Sequence, residues 1–215
     1  MDIAYIATVI GVILISMTLH EAMHAFMGYF LGDDTAKLEG RLTLNPIKHI
    51  DPFLTILLPV ILALTPGAPI FGGAKPVPFN PNRVRYGEWG AAMVALAGPL
   101  TNLLLAFIAF GISVVSGVIS GAGIVENGLG QALWLFIIVN LGFFIFNMIP
   151  LPPLDGSRVL YALAPEFVRR GMEAIERFGI MFIFLIVLLS GSLIGVLLTT
   201  IRGGILDLFQ AIFML

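Results

Sequence analysis

The 215-residue chain has no cysteine and only three histidines, His20, His24 and His49. Disulfides, iron–sulfur clusters, thiolate zinc sites and a cysteine nucleophile are therefore excluded. Charge is scarce too: Asp, Glu, Lys and Arg make up 11% of the residues, against about a quarter in soluble domains. The 11 basic and 13 acidic residues leave a net charge of −2, which offers no basic field for a nucleic acid. What abounds is apolar surface, with 59% hydrophobic residues and a mean hydropathy of +1.03. A water-soluble globular domain and a disordered chain are both excluded. The chain reads as one integral-membrane domain over 1–215.

Four apolar runs are long enough to cross a hydrocarbon core, which takes about 20 helical residues. They are Ile3–Leu31, Trp89–Ser120, Gln131–Ile149 and Phe178–Ile201. The first begins at Asp2 rather than a basic region, runs too long and meets no small-residue cleavage site, so it is expected to be a span and not a signal peptide. Phe53–Leu64 is shorter, holds Pro59 and ends at Thr65-Pro66-Gly67, so 53–71 is expected to dip in and return on the same side. The tail 203–215 is apolar but too short to cross. With 53–71 re-entrant and the amino terminus outside, ten of the 11 basic residues fall on the cytoplasmic side and only Arg202 outside. The expected fold is an all-α polytopic membrane protein. It has about four transmembrane helices, a core over 3–165, the re-entrant loop and short β-like cytoplasmic segments. No internal repeat is visible.

His20-Glu21-Ala22-Met23-His24 reads H-E-x-x-H. On a helix the two histidines share a face and can hold one metal ion, with the glutamate beside it as general base. Ionisable groups inside a transmembrane helix are costly and mark function. This motif gathers every ionisable residue in the interior of the first span. Its distance from Ile3, roughly 25 Å of helix, puts it within the membrane toward the cytoplasmic end. A hydrolytic zinc takes about three protein ligands, and without cysteine the third is His49 or a carboxylate. Asp155 is the best carboxylate: it follows Pro150, Pro152 and Pro153 at the end of a span and precedes Gly156.

The H-E-x-x-H in a first helix and the later Asn147-Met148-Ile149-Pro150-Leu151-Pro152-Pro153-Leu154-Asp155-Gly156 resemble the site-2 protease family of intramembrane zinc metalloproteases. Leu44-Asn45-Pro46, His49-Ile50-Asp51-Pro52, Gly73-Ala74-Lys75-Pro76-Val77-Pro78 and Ala97-Gly98-Pro99-Leu100-Thr101-Asn102 are similar to further family segments, so the likeness covers about residues 12–165. The resemblance implies one Zn2+ per chain on His20, His24 and Asp155, with Glu21 as general base. It also implies a role for Asn147 in positioning substrate or stabilising the oxyanion. The 215 residues contain neither the PDZ nor the CBS domain of larger members. The implied activity is zinc-dependent hydrolysis of peptide bonds within or near transmembrane segments of single-span membrane proteins, in a multi-pass protein of the lipid bilayer (the cell membrane in a prokaryote).

Such a bond is shielded by helical hydrogen bonding and lack of water. Segments 40–52 and 72–86, with Thr43, Val77 and Phe79, are candidates to hold unwound substrate by strand addition; an ordinary loop is the alternative. His49 reads equally as a substrate-side or an interfacial structural residue. Competing functions fit less well. A protease with a glutamate third ligand needs an ExxxD-like helix, a transporter usually shows repeats, and a di-iron oxygenase needs more histidines. Nothing in the sequence names the substrate or the oligomeric state.

Overall fold

The computed structural model describes residues 3–64, 73–120, 123–125 and 127–215. The chain starts with the long helix α1 (Ile3–Phe30), then the one-turn α2 (Thr35–Leu38) and a 3-10 turn at Pro46–Lys48. A π-helical turn, Pro52–Leu57, leads into α3 (Leu58–Leu64). The long helix α4 (Glu88–Val115) ends near a small antiparallel pair, β1 (Ile119–Ser120) and β2 (Gly123–Ile124). Then follow α5 (Gly128–Asn147), α6 (Gly156–Leu163), α7 (Glu166–Glu176) and the long α8 (Ile180–Phe213).

Among the described residues, four helices are long and apolar enough to cross a membrane: α1, α4, α5 and the stretch Ile194–Phe213 of α8. Helix is the structure this composition demands, because a backbone in hydrocarbon must satisfy its own donors and acceptors. Local signals set the ends. α1 stops at Gly32, whose φ of +107° suits a residue without Cβ, and the Asp33 amide reaches back to Gly28 O at 2.9 Å. α5 starts at Asn127, whose side chain accepts the Gly130 amide at 2.7 Å.

α4 is the centre of the bundle, packed mainly against α5 and α1. Between helices in lipid, association rests on close packing and interhelical hydrogen bonds rather than on expulsion of water. The buried face of α4 is accordingly small, with Ala91, Ala95, Gly98, Ala106 and Ala109. Toward its carboxyl end Phe110 meets Ile137 and Leu141 of α5 and Phe209 of α8. A second cluster joins Val9, Ile13 and Met17 of α1 to Val139 and Phe143 of α5. A third, Leu31, Val84 and Val94, closes the end of the bundle that carries the basic loops.

Two expectations need adjustment. The fourth span does not end at Ile201: α8 continues through Arg202-Gly203-Gly204 to Phe213. Its last turns are held by Phe209 and Phe213 against Phe107 and Phe110 of α4, so tail packing outweighs the glycine pair. The β pairing lies between α4 and α5 instead of in 40–52 or 73–86, where the described residues form no strand. As for 53–71, the π-helical turn and α3 cover it up to Leu64, and 65–71 lies outside the described residues.

Candidate metal centre

His20 and His24 stand one turn apart on α1, with their Nε2 atoms 3.0 Å from each other. Asp155, in the turn that enters α6, brings Oδ2 to 3.2 Å from His20 Nε2 and 3.4 Å from His24 Nε2. That turn is shaped by its prolines and closed by Leu154 N–H to Leu151 O and Arg158 N–H to Asp155 O. The three atoms form one compact group able to hold a metal ion. Ligands about 2.0–2.1 Å from a tetrahedral zinc stand roughly 3.3 Å apart, so this triangle has the right size. Asp155 Oδ2 is buried and accepts no well-formed hydrogen bond, as suits an atom reserved for a cation.

The far sides of the imidazoles decide what the near sides offer. His24 Nδ1 lies 2.7 Å from the Val94 carbonyl, and His20 Nδ1 lies 2.6 Å from Asn102 Oδ1. Both partners are acceptors, so both Nδ1 atoms carry the proton and both Nε2 atoms turn lone pairs toward Asp155. Two lone pairs at 3.0 Å beside a carboxylate oxygen call for a shared cation. Gly98 of α4 makes room for the rings: a Cβ there would overlap the His24 imidazole and lie 2.7 Å from His20 Cε1.

Glu21 completes the wall. It is buried, and its Oε2 accepts the Val77 amide at 2.8 Å. With His24, Val94, Asp155 and Phe79 it lines a cavity of about 160 Å³, which Pro153, Arg158 and Glu176 also line. Val77 belongs to an irregular segment pinned at alternate residues. Gly73 N–H donates to Leu54 O, and Lys75 N–H donates to His49 O at 2.9 Å. Arg41 Nη2 donates to Lys75 O at 2.5 Å. Arg41 is buried and has no carboxylate within ion-pair distance among the described residues. Asp33 fixes the other end, accepting from the Asn80 amide and from Thr35. Burial alone would raise the Asp33 carboxyl, but those hydrogen bonds and nearby Arg83 outweigh it and hold it below the usual carboxylate range.

YwhC of Bacillus subtilis, named as a zinc metalloprotease, is 43% identical over 205 residues, covering 94% of this chain and 90% of that protein. The chain belongs to Peptidase family M50. The family model itself matches residues 111–191, which include the Asn147–Gly156 motif. Rip2 of Mycolicibacterium smegmatis, also named as a zinc metalloprotease, is 32% identical over 195 residues, covering 87% of this chain and 69% of that protein. No solved structure matches significantly. This M50 protein is therefore a multi-pass zinc metalloprotease of a family that carries out intramembrane proteolysis.

Within the M50 chain, the residues singled out by sequence fall in three places. His20, His24 and Asp155 converge, and Glu21 lines the same cavity as His24 and Asp155. Asn147 ends α5 with Nδ2 donating to Phe143 O at 3.0 Å, and it is not among the cavity-lining residues. His49 is buried outside the metal group, its Nε2 2.9 Å from Thr43 O. Sequence reasoning assigned no role to Asn102, Val94, Gly98 or Arg41. Asn102 and Gly98 stand inside Ala97–Asn102, quoted above only as a likeness. An amide in an apolar run was the available signal for Asn102.

Proposed function

We propose that this M50 protein hydrolyses peptide bonds within or near transmembrane segments of single-span membrane proteins, using one zinc held by His20, His24 and Asp155. The observation that carries the reading is the convergence of two imidazole nitrogens and a carboxylate oxygen at 3.0–3.4 Å, beside a cavity lined by His24, Asp155 and Glu21. Zinc in such a ligand set supplies Lewis acidity, polarising a carbonyl and lowering the pKa of water. Glu21 takes a proton from the attacking water and returns it to the leaving amine. The Val77 amide holds Glu21 by one oxygen and leaves the other for this exchange. Asn147 Nδ2 gives one of its two N–H donors to Phe143 O, and a part in oxyanion or substrate binding falls to the other.

Helix lengths support a site below the bilayer surface. From Ile3 to His20 and from Val115 back to Asn102, the rise is about 20–25 Å. Pro76, Val77 and Phe79 of the irregular segment 73–86 line the cavity, and 40–52 is bonded to that segment through His49 and Arg41; both suit an unwound peptide, since a helical substrate keeps its carbonyls bonded to itself. The bias of the basic loops supports a cytoplasmic position for this end, with the amino terminus outside. Single cysteines at Lys48 and Arg83, in a chain that has none of its own, should be labelled from that one side; labelling from opposite sides refutes the topology.

The deciding experiment is co-expression with candidate single-span substrates. Glu21→Gln should keep its zinc while cleavage falls about 10²- to 10⁴-fold, the range for a lost general base. Undiminished cleavage would remove Glu21 from the chemistry.

A further inference from the structure

Asn102 and Asn140 are fully buried in the apolar bundle, as is Ser16, one turn before His20. Unpaired amides there would be costly, yet both are satisfied, and by one another. Asn140 Nδ2 donates to its own helix at Phe136 O, 2.8 Å, and to Ser16 Oγ, 2.9 Å. Asn140 Oδ1 accepts from Asn102 Nδ2 at 2.9 Å, and Asn102 Nδ2 also approaches Ser16 O at 3.5 Å. Asn102 Oδ1 faces His20 Nδ1 at 2.6 Å. The chain thus ties α1, α4 and α5 together at the level of the metal ligands.

Its direction follows from one atom. A backbone carbonyl can only accept, so Phe136 O obliges Asn140 to turn its NH₂ that way and its oxygen toward Asn102. Asn102 must then show Asn140 its NH₂ and His20 its oxygen, and His20 must meet that oxygen with a protonated Nδ1. We propose that Asn102 is a positioning residue of the metal centre. Backed by Asn140 and Ser16, it holds His20 as the Nδ1–H tautomer and aims the Nε2 lone pair at the metal. The proposal rests on His20 being a zinc ligand. Val94 O does the same for His24 in one step. A backbone carbonyl needs no support to stay an acceptor, whereas an amide that flips becomes a donor, and Asn140 prevents that flip.

The test measures zinc affinity of the purified full-length protein by competition with a chelator, alongside thermal unfolding. Asn102→Leu keeps the volume and removes the acceptor; affinity should fall about 10- to 100-fold, as for other lost partners of ligating histidines. Asn102→Asp keeps an acceptor for His20 and should bind zinc more tightly than Asn102→Leu. If packing alone were the role, the order would reverse, because leucine suits the site and a buried carboxylate does not. Should Asn102→Leu fail to fold, Asn140→Leu carries the test: it leaves Asn102 free to flip and should weaken zinc binding several-fold, and wild-type affinity would overturn the chain. In ¹⁵N-histidine spectra of the zinc-loaded protein, with only three histidines to assign, His20 should be protonated at Nδ1; an unprotonated Nδ1 overturns the proposal. Wild type that binds no zinc sinks the proposed function and this inference together. Wild type and Asn102→Leu binding equally sink the inference alone.

Discussion

The metal centre stands between two walls built on different principles. One is the apolar layer where α1, α4 and α5 meet, carrying His20, Asn102, Asn140 and Ser16. Its backbone is all helix, so polar work falls to side chains that close a network among themselves. The other is the irregular stretch 73–80, where side chains from elsewhere (Glu21, Asp33, Arg41, Thr55) hold exposed backbone groups. On the proposed function the first wall orients ligands and keeps a metal. The second has free peptide groups near the cavity and is suited to handling another chain. A helix can fix a tautomer but has no peptide group to spare for a substrate.

Substitutions should separate the walls by what they spoil. The largest effect is expected at the ligands: His20→Ala and Asp155→Ala should lose zinc and with it all cleavage, while His49→Ala, outside the metal group, keeps its zinc. Zinc content of purified variants decides this; metal retained by Asp155→Ala but lost by His49→Ala would redraw the ligand set. Next is Asn147→Ala, expected to leave zinc content and thermal stability near wild type while cleavage drops about 10²-fold, the scale of one lost oxyanion donor. Full activity would leave Asn147 as a helix-end residue bonded to Phe143 O. The smallest is Arg41→Met, which frees the Lys75 and Pro76 carbonyls but keeps side-chain bulk. Cleavage should fall about tenfold, as for one lost charge-assisted hydrogen bond, at unchanged zinc affinity. Weakened zinc binding in Arg41→Met would mean that the walls are not independent.

The part of this division visible in the sequence was the charged part. His20, Glu21, His24 and Asp155 stand out because hydrocarbon penalises ionisable groups that have no task, and the apolar runs around them are unmistakable. The neutral network does not stand out. Asn102 and His20 are 82 residues apart, and Asn140 and Ser16 124, so no local pattern pairs them. Gly98 looks like any helical glycine until two imidazoles are seen where its Cβ would be. Thr43, Val77 and Phe79 have strand composition, but strand formation needs a neighbour. Arg202-Gly203-Gly204 looks like a helix end, yet helical hydrogen bonding needs no side chain, and Phe209 and Phe213 hold the continuation.

The prolines of the irregular wall carry one more consequence. Gly73, Lys75 and Val77 spend their amides on Leu54, His49 and Glu21, and Pro76 and Pro78 between them have none to spend. Two copies of the stretch laid edge to edge would set carbonyl against carbonyl, with hardly a proton between them. An open backbone in a crowded membrane invites aggregation. This one is protected from its own kind by lacking donors, so a visiting chain has to bring the hydrogens.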